Sequence, residues 1–315
     1  MGRKITAIGE VLVDLTQINV DSNGIVHFAA NPGGAPANVA VSASRLGHET
    51  AFVGCVGKDT FGKLLKQTLW DNNVDISGLQ ETDSATTTMA VVTVSKTGER
   101  SFSFCRKPGA DTQIDKNRAL AAVTDTYMLH FGSVSLTDPG CRKTIEKVIR
   151  TAKKNGAVIT YDPNYRASLW ESEEQARKVM RSVLKYCDIV KLSDEETLLM
   201  TGEEEPLKAA RALIDLGVKL AVITLGEKGA LYCTQNAQGL VPGFKVKVAD
   251  TNGAGDTFFG ALIGEIAANG GLENITGEKL EKYVRFANKA ASVTASRPGA
   301  IPAMPYRREL EGTQE

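Results

Sequence analysis

The chain has 315 residues, 42% of them hydrophobic and 23% charged, which is enough apolar material for one sizeable domain, or one with an appendage. Lysine plus arginine equals aspartate plus glutamate at 37 each, so no net field points to nucleic acid or an anionic membrane as a partner. The five cysteines (Cys55, Cys105, Cys141, Cys187, Cys233) lie far apart with no CxxC pair, which argues against a structural zinc site or a disulfide framework and for a reducing cytoplasm.

Arg3 and Lys4 lead directly into an alternating strand pattern rather than a signal-peptide core, and no run of about 18 apolar residues follows; neither secretion nor a membrane span is expected. Residues 4–13 (KITAIGEVLV) form one β-rich apolar run. The turn residues Asp21, Ser22, Asn23 and Gly24 after it predict a hairpin. A second hairpin is predicted over 86–104, where β-branched and aromatic residues flank SKTGE and Gly98 supplies the reversal. There Phe102 and Phe104 alternate with Ser101 and Ser103, giving the strand one apolar face. The two hairpins are candidates for a small sheet outside the main body.

From about residue 124 apolar strands alternate with amphipathic stretches: YMLHFGS, a helix near 138–155, AVITYDP, a helix near 171–185, DIVKLS, a helix at 205–216 and LAVITLG. This is the grammar of βαβ units and a parallel sheet covered on both faces. A hairpin of GALYC with FKVKV follows, then helices near 254–269 and 279–296, and RRELEGTQE reads as a solvated tail. Ligands of such sheets sit beyond the C-terminal ends of the strands. That places weight on GGAPAN at 33–38, DPNYR at 162–166, TLGEKG at 224–229 and DTNGAGD at 250–256.

DTNGAGDTFFGAL joins a β run to an apolar helix through Gly253, Ala254 and Gly255, so backbone amides can converge at a helix N-terminus as an anion site. Charge developing on a transferring phosphoryl group would be stabilised there. Asp256 in the first turn could accept a proton from an attacking hydroxyl, or could only complement the helix dipole. The segment is not a Walker loop, because no GKS or GKT follows the glycines.

DTNGAGD resembles the C-terminal signature of the ribokinase-like (PfkB) carbohydrate kinases, and GGAPANVAVSASRLG at 33–47 resembles their N-terminal signature. The two occur in the family's order, and the similarity extends over nearly the whole chain. The resemblance implies an α/β fold, a central mostly parallel sheet with helices on both faces and a small β-sheet lid. It implies one kinase domain over 1–315, lid strands from about 12–30 and 86–106, a lid that closes over the sugar, and a homodimer formed through it. ATP and Mg2+ are implied as cofactors, with K+ in many members.

By the same resemblance Asp256 is the general base, and Gly253, Ala254 and Gly255 are the anion hole. Asp14, Gly33, Gly34 and Asn38 fall at sugar hydroxyls, although the glycines could simply make a turn and Asn38 could cap the following helix. Arg106, Asn164 and Arg166 would reach the sugar, with a surface salt bridge as the alternative for Arg166. Thr224, Gly226 and Gly229 match the nucleotide loop, Asn288 flanks the adenine, and Lys191 supports the cofactor. The family's NxxE motif departs here to Ser193 and Glu196. Glu196 is expected to orient hydrated magnesium, though Ser193 to Glu196 is also a good capping box. Asp250, Asn252, Thr294, Arg297, Gly299 and Ala303 match a monovalent-cation site built mostly from main-chain oxygens.

FCRKPGAD at 104–111 and DPNYR resemble fructokinases and 2-keto-3-deoxygluconate kinases more than ribokinases or adenosine kinases. The proline of GGAPAN is the fructokinase-like form, while Cys105 stands where those chains usually carry an aromatic residue. The expectation is therefore phosphorylation of fructose to fructose 6-phosphate by ATP. 2-Keto-3-deoxygluconate is the rival substrate, and a catalytically silent sugar or nucleotide sensor is the rival of another class. Sugar and ATP are the expected small-molecule partners; neither nucleic acid nor membrane is expected.

Overall fold

The computed structural model describes residues 3–94, 100–273 and 275–312, with residues 94 and 100–102 described by their backbone alone. Gly98 and the side chain of Phe102 lie outside what is described. In chain order, β1 (Ile5–Ile8) is fully buried and ends at a bend. The chain then forms β2 (Leu12–Val20) and β3 (Val26–Gly33), an antiparallel hairpin turned by Asp21, whose carboxylate accepts the amides of Asn23 and Ile25 at 2.8 and 3.0 Å. Next come α1 (Ala35–Arg45), β4 (Thr50–Gly57), α2 (Thr60–Asp71) and β5 (Leu79–Thr82). The second hairpin, β6 (Met89–Val94) and β7 (Arg100–Cys105), follows.

The alternating part continues with α3 (Lys116–Ala122), β8 (Met128–Phe131), α4 (Pro139–Lys154), β9 (Val158–Tyr161), α5 (Glu173–Ser182), β10 (Ile189–Ser193), α6 (Thr197–Thr201), α7 (Pro206–Asp215) and β11 (Leu220–Thr224). The chain closes with β12 (Ala230–Cys233), β13 (Gln238–Val241), α8 (Ala254–Ala268), α9 (Gly277–Ala295) and α10 (Arg307–Glu311). Among the described residues the strands form a nine-stranded sheet, in the order β13-β12-β11-β10-β9-β8-β1-β4-β5, and a four-stranded sheet, β3-β2-β6-β7. Only the two β12 pairings are antiparallel in the large sheet.

Side-chain alternation divides the large sheet between two cores. Phe131, Tyr161, Val190, Leu192 and Ile223 pack with α4, α5 and α7, whereas Met128, Ile189, Leu220 and Val222 pack with α1, α8 and α9. Helix α8 lies between the sheet and its neighbours and is buried along nearly its whole length, as expected of a helix that is apolar all round. It crosses α1 closely. A methyl group on Gly260 would come within 2.7 Å of Ser42 Cβ and of the Val39 carbonyl oxygen.

Four expectations change. The run 4–13 is two strands of different sheets, because the chain bends at Gly9 before β2 departs. The parallel sheet does not begin near residue 124 but includes β1, β4 and β5. FKVKV at 244–248 carries no strand: the tight turn in which Thr234 N donates to the Ala237 carbonyl at 2.7 Å pairs β12 with the nearer β13 instead. The tail is partly helical and anchored. Leu310 is buried, and Arg307 donates to the Leu46 carbonyl and to Glu265.

Gly260→Ala should lower stability by about 1–3 kcal/mol through overpacking, outweighing the roughly 1 kcal/mol that alanine gains in helix propensity. The midpoint of chemical denaturation is the measurement.

Candidate functional site

The close crossing of α1 and α8 brings their first turns together. Gly34 precedes α1 with φ 106°, and a side chain there would meet the Glu10 carbonyl oxygen at 2.6 Å, so only glycine fits. Asn38 lies inside the first turn of α1 rather than capping it, and its Nδ2 donates to Asp256 Oδ2 at 2.8 Å. Asn164, from the segment after β9, donates to the other carboxylate oxygen, Oδ1, at 3.3 Å. Asp256 is 7% exposed.

Gly253 caps α8 in the left-handed conformation, φ 74°, and the first turn leaves the amides of Gly253, Gly255 and Asp256 without backbone acceptors among the described residues. Alternation along β10 turns Lys191 toward this turn. Its ammonium donates to Asp162 at 2.7 Å, both groups being buried, and lies 3.2 Å from where a Cβ on Gly255 would stand. Burial works against the Lys191 charge, but Asp162 and Glu196 more than offset it and its pKa is raised. The turn therefore combines free amides, a helix N-terminus and a buried cation, all favouring an anion.

Beside the turn opens a cleft lined by Asp14, Gly34, Asn38, Asn164, Arg166, Asn252, Gly253 and Asp256, with Leu12, Ala90 and Phe104 from the small sheet. Burial, reinforced by Asp162, raises Asp256 from 3.8 to about 6, opposed by Asn38, Lys191 and Arg166. Burial likewise raises Asp14 to about 6 against the pull of Arg166. Both carboxylates are mostly ionised at neutral pH yet basic enough to take a proton.

A second group gathers farther along the strand ends. Ser193 pairs with Thr224 across β10 and β11. Gly229 and Asn288 converge on one carbonyl: Asn288 Nδ2 donates to Val241 O at 3.0 Å and to Pro242 O at 3.1 Å, and a methyl on Gly229 would strike Val241 O. Gly226 opens the turn in which Leu225 N donates to the Gly229 carbonyl at 2.8 Å. Asp250 accepts the amides of Asn252 at 3.0 Å and Gly299 at 3.2 Å, tying two loops together. The second loop abuts the anion turn, since a methyl on Gly253 would lie 2.9 Å from Ala300 Cβ. Ala303 belongs to the same loop, Arg297 N donates to the Thr294 carbonyl at 3.1 Å, and the Arg297 side chain turns away to Glu309.

One placement differs from expectation, that of Arg106, while Glu196 takes the capping role given as its alternative. Arg106 does not line the cleft: its guanidinium, 8% exposed, is taken up by the fully buried Asp111, by Thr137 and by the Val134 carbonyl. A desolvated guanidinium requires such partners. Glu196 is engaged as a cap, Oε2 accepting the amide and hydroxyl of Ser193 and Oε1 the amide of Tyr165 at 2.7 Å. Gly33 faces the Asp14 carboxylate, which a side chain there would meet at 2.5 Å. Sequence reasoning missed Asp162, Asp111 and Glu10, the last a buried carboxyl on the cleft pushed up to about 7 mainly by burial. An acidic residue inside the apolar run 4–13 was the available signal for Glu10.

Residues 3–307 match the sequence profile of the pfkB family carbohydrate kinases. The chain is 40% identical over 305 residues to a probable fructokinase-2 of Arabidopsis thaliana, covering 96% of this chain and 92% of that one. A fructokinase from Xylella fastidiosa with bound ATP has a TM-score of 0.90 at 30% identity, covering 99% of this chain and 98% of that one. A double mutant of the Vibrio cholerae O395 fructokinase, in a form with fructose, ADP and potassium ion bound, has a TM-score of 0.87 at 31% identity, again covering 99% and 98%.

The raised pKa has a sign that stability can test. The fold favours the protonated form of Asp256, so its contribution is fully present below pH 3.8 and is lost as pH rises through about 6. Above that, the buried charge costs on the order of 2–3 kcal/mol. Asp256→Asn should therefore melt higher than the parent chain at pH 8, with the gap closing by pH 4, as followed by thermal denaturation.

Proposed function

Because the chain belongs to the pfkB family of carbohydrate kinases, we propose that it is an ATP-dependent fructokinase, transferring the γ-phosphoryl group of ATP to the 6-hydroxyl of fructose to give fructose 6-phosphate and ADP. The observation that carries this reading is Asp256, buried beside an anion turn at the head of α8 and raised to about 6. Its carboxylate takes the proton of the attacking hydroxyl as the new O–P bond forms. The amides of residues 253–256 and the Lys191 ammonium hold the charge that spreads over the transferring group.

Asp14, Asn38, Asn164 and Arg166, with Gly33 and Gly34 giving close backbone approach, bind the sugar. Asn38 suits this role because its Oδ1 is a buried acceptor with no partner among the described residues. Thr224, Gly226, Gly229 and Asn288 form the nucleotide site. For magnesium, which would neutralise charge on the ATP phosphates, Glu196 would be the orienting carboxylate, since Oε1 accepts only the Tyr165 amide among the described residues. Main-chain oxygens of Asn252, Thr294, Arg297, Gly299 and Ala303, with Asp250, would hold a monovalent cation, whose charge would add to the anion turn.

The whole chain acts as one kinase domain. Its small sheet, drawn from 12–30 and 86–106, serves as a lid that closes on the sugar and excludes water. Ile18, Val20 and Phe28 are 67%, 53% and 41% exposed on that sheet, an apolar face that suits a second copy of the chain. None of the described helices is long and apolar enough to cross a membrane. The cytoplasm is the proposed compartment, a reading that rests on the five widely separated cysteines with no CxxC pair.

Asp256→Asn should lower turnover at least about 10²-fold in a coupled ATP assay. The parent kcat/KM should fall roughly tenfold per pH unit below about 6, since only the ionised base works. A substrate panel decides the sugar: activity on 2-keto-3-deoxygluconate with none on fructose would overturn the assignment. Tight sugar binding without phosphoryl transfer would point to a sensor. Phe28→Glu should convert a dimer to monomers by light scattering.

A further inference from the structure

Both strands that roof the cleft enter and leave the small sheet through one buried knot. Ala90 of β6 and Phe104 of β7 are register partners and line the cleft. Thr88, just before β6, donates its hydroxyl to Asp111, and Arg106, just after β7, donates Nε and Nη2 to the same carboxylate, at 2.8 and 2.6 Å to Oδ2. The knot is fixed to the large sheet's side of the cleft, because Arg106 Nη1 donates to the Thr137 hydroxyl at 2.6 Å and Nη2 to the carbonyl of Val134, itself a cleft residue, at 3.1 Å. Gly109 leaves the space this needs. A methyl there would come within 2.5 Å of both Arg106 Cγ and the Thr88 hydroxyl, and 2.7 Å of Asp111 Oδ1.

One carboxylate thus joins the roots of two roof strands to the wall opposite. We propose that Asp111 is a positioning residue for the kinase reaction: through Arg106 and Thr88 it fixes Phe104 and Ala90 over the bound sugar. Asp111 touches neither substrate, and a bidentate pair in a buried setting is a geometric device more than a source of stability. On this assignment Arg106 serves the sugar indirectly, by holding the roof.

The inference rests on the sugar-kinase reading, so the test uses whichever sugar of the panel the parent enzyme phosphorylates fastest; a failed fructose assay then overturns only the fructose assignment. Asp111→Asn, checked for folding by circular dichroism, should raise KM for that sugar on the order of tenfold, leave KM for ATP unchanged, and raise ATP hydrolysis measured without sugar, as a loosened roof admits water. A folded variant with parental sugar KM and parental sugar-free hydrolysis overturns the proposal. Should Asp111→Asn not fold, Thr88→Val, which removes one hydroxyl at constant size, decides the matter: a selective rise in sugar KM supports it, and parental values overturn it. A purely structural role would lower the melting temperature without separating the two KM values. If the parent chain phosphorylates no sugar, the hydrolysis comparison alone decides.

Discussion

A carboxylate that must stay charged while out of water is the constraint around which this molecule is organised. As the base of the proposed reaction Asp256 works only as an anion, yet burial favours its neutral form. The surrounding groups answer that conflict with a partial compensation. Two amide side chains each donate to one of its oxygens, and the Lys191 and Arg166 charges act from farther away. Stronger pairing would have kept the group charged but too weak a base. The balance leaves it near the pH at which a proton can move both ways.

That balance depends on elements far apart in the chain keeping a common register. Alternation along β9 and β10 sends Tyr161 and Val190 into one core and Asp162 and Lys191 toward α8 on the other face. Helix α1 brings Asn38 to Asp256 only because Gly260 lets the two helices meet backbone to side chain. The large sheet, the two cores and the helix crossing therefore set the electrostatics before any substrate arrives. The small sheet contributes the opposite wall, through Leu12, Ala90 and Phe104.

Much of this was legible in the sequence where local chemistry and periodicity agree. The βαβ rhythm, the Asp21 turn and the glycine turn before Asp256 are written in residues that leave few conformations open. Long-range pairing was less legible: nothing local in KITAIGEVLV says that its halves serve different sheets, and nothing in FKVKV says that a nearer partner will claim β12. Side chains with several possible partners were hardest. Arg106 reads as a ligand group from its type and neighbours, but Asp111 is only five residues away and the pairing is decided by burial, which sequence does not display. Asp162 and Glu10 have meaning only once the strand ends are aligned.

The bond from Asn38 to Asp256 spans 218 positions of the chain. Synthesis proceeds from the N-terminus, and domains tend to fold as their residues emerge. Until α8 leaves the ribosome, the side of α1 that carries Val39 and Ala43 lacks one of its apolar partners, and the cleft lacks Asp256, the base of the proposed reaction. The emerging polypeptide thus carries both an uncovered hydrophobic surface and an incomplete site through most of its translation. The same late helix that covers this side of α1 also brings Asp256 to Asn38, so one element joins the two halves of the cleft as it removes a sticky surface.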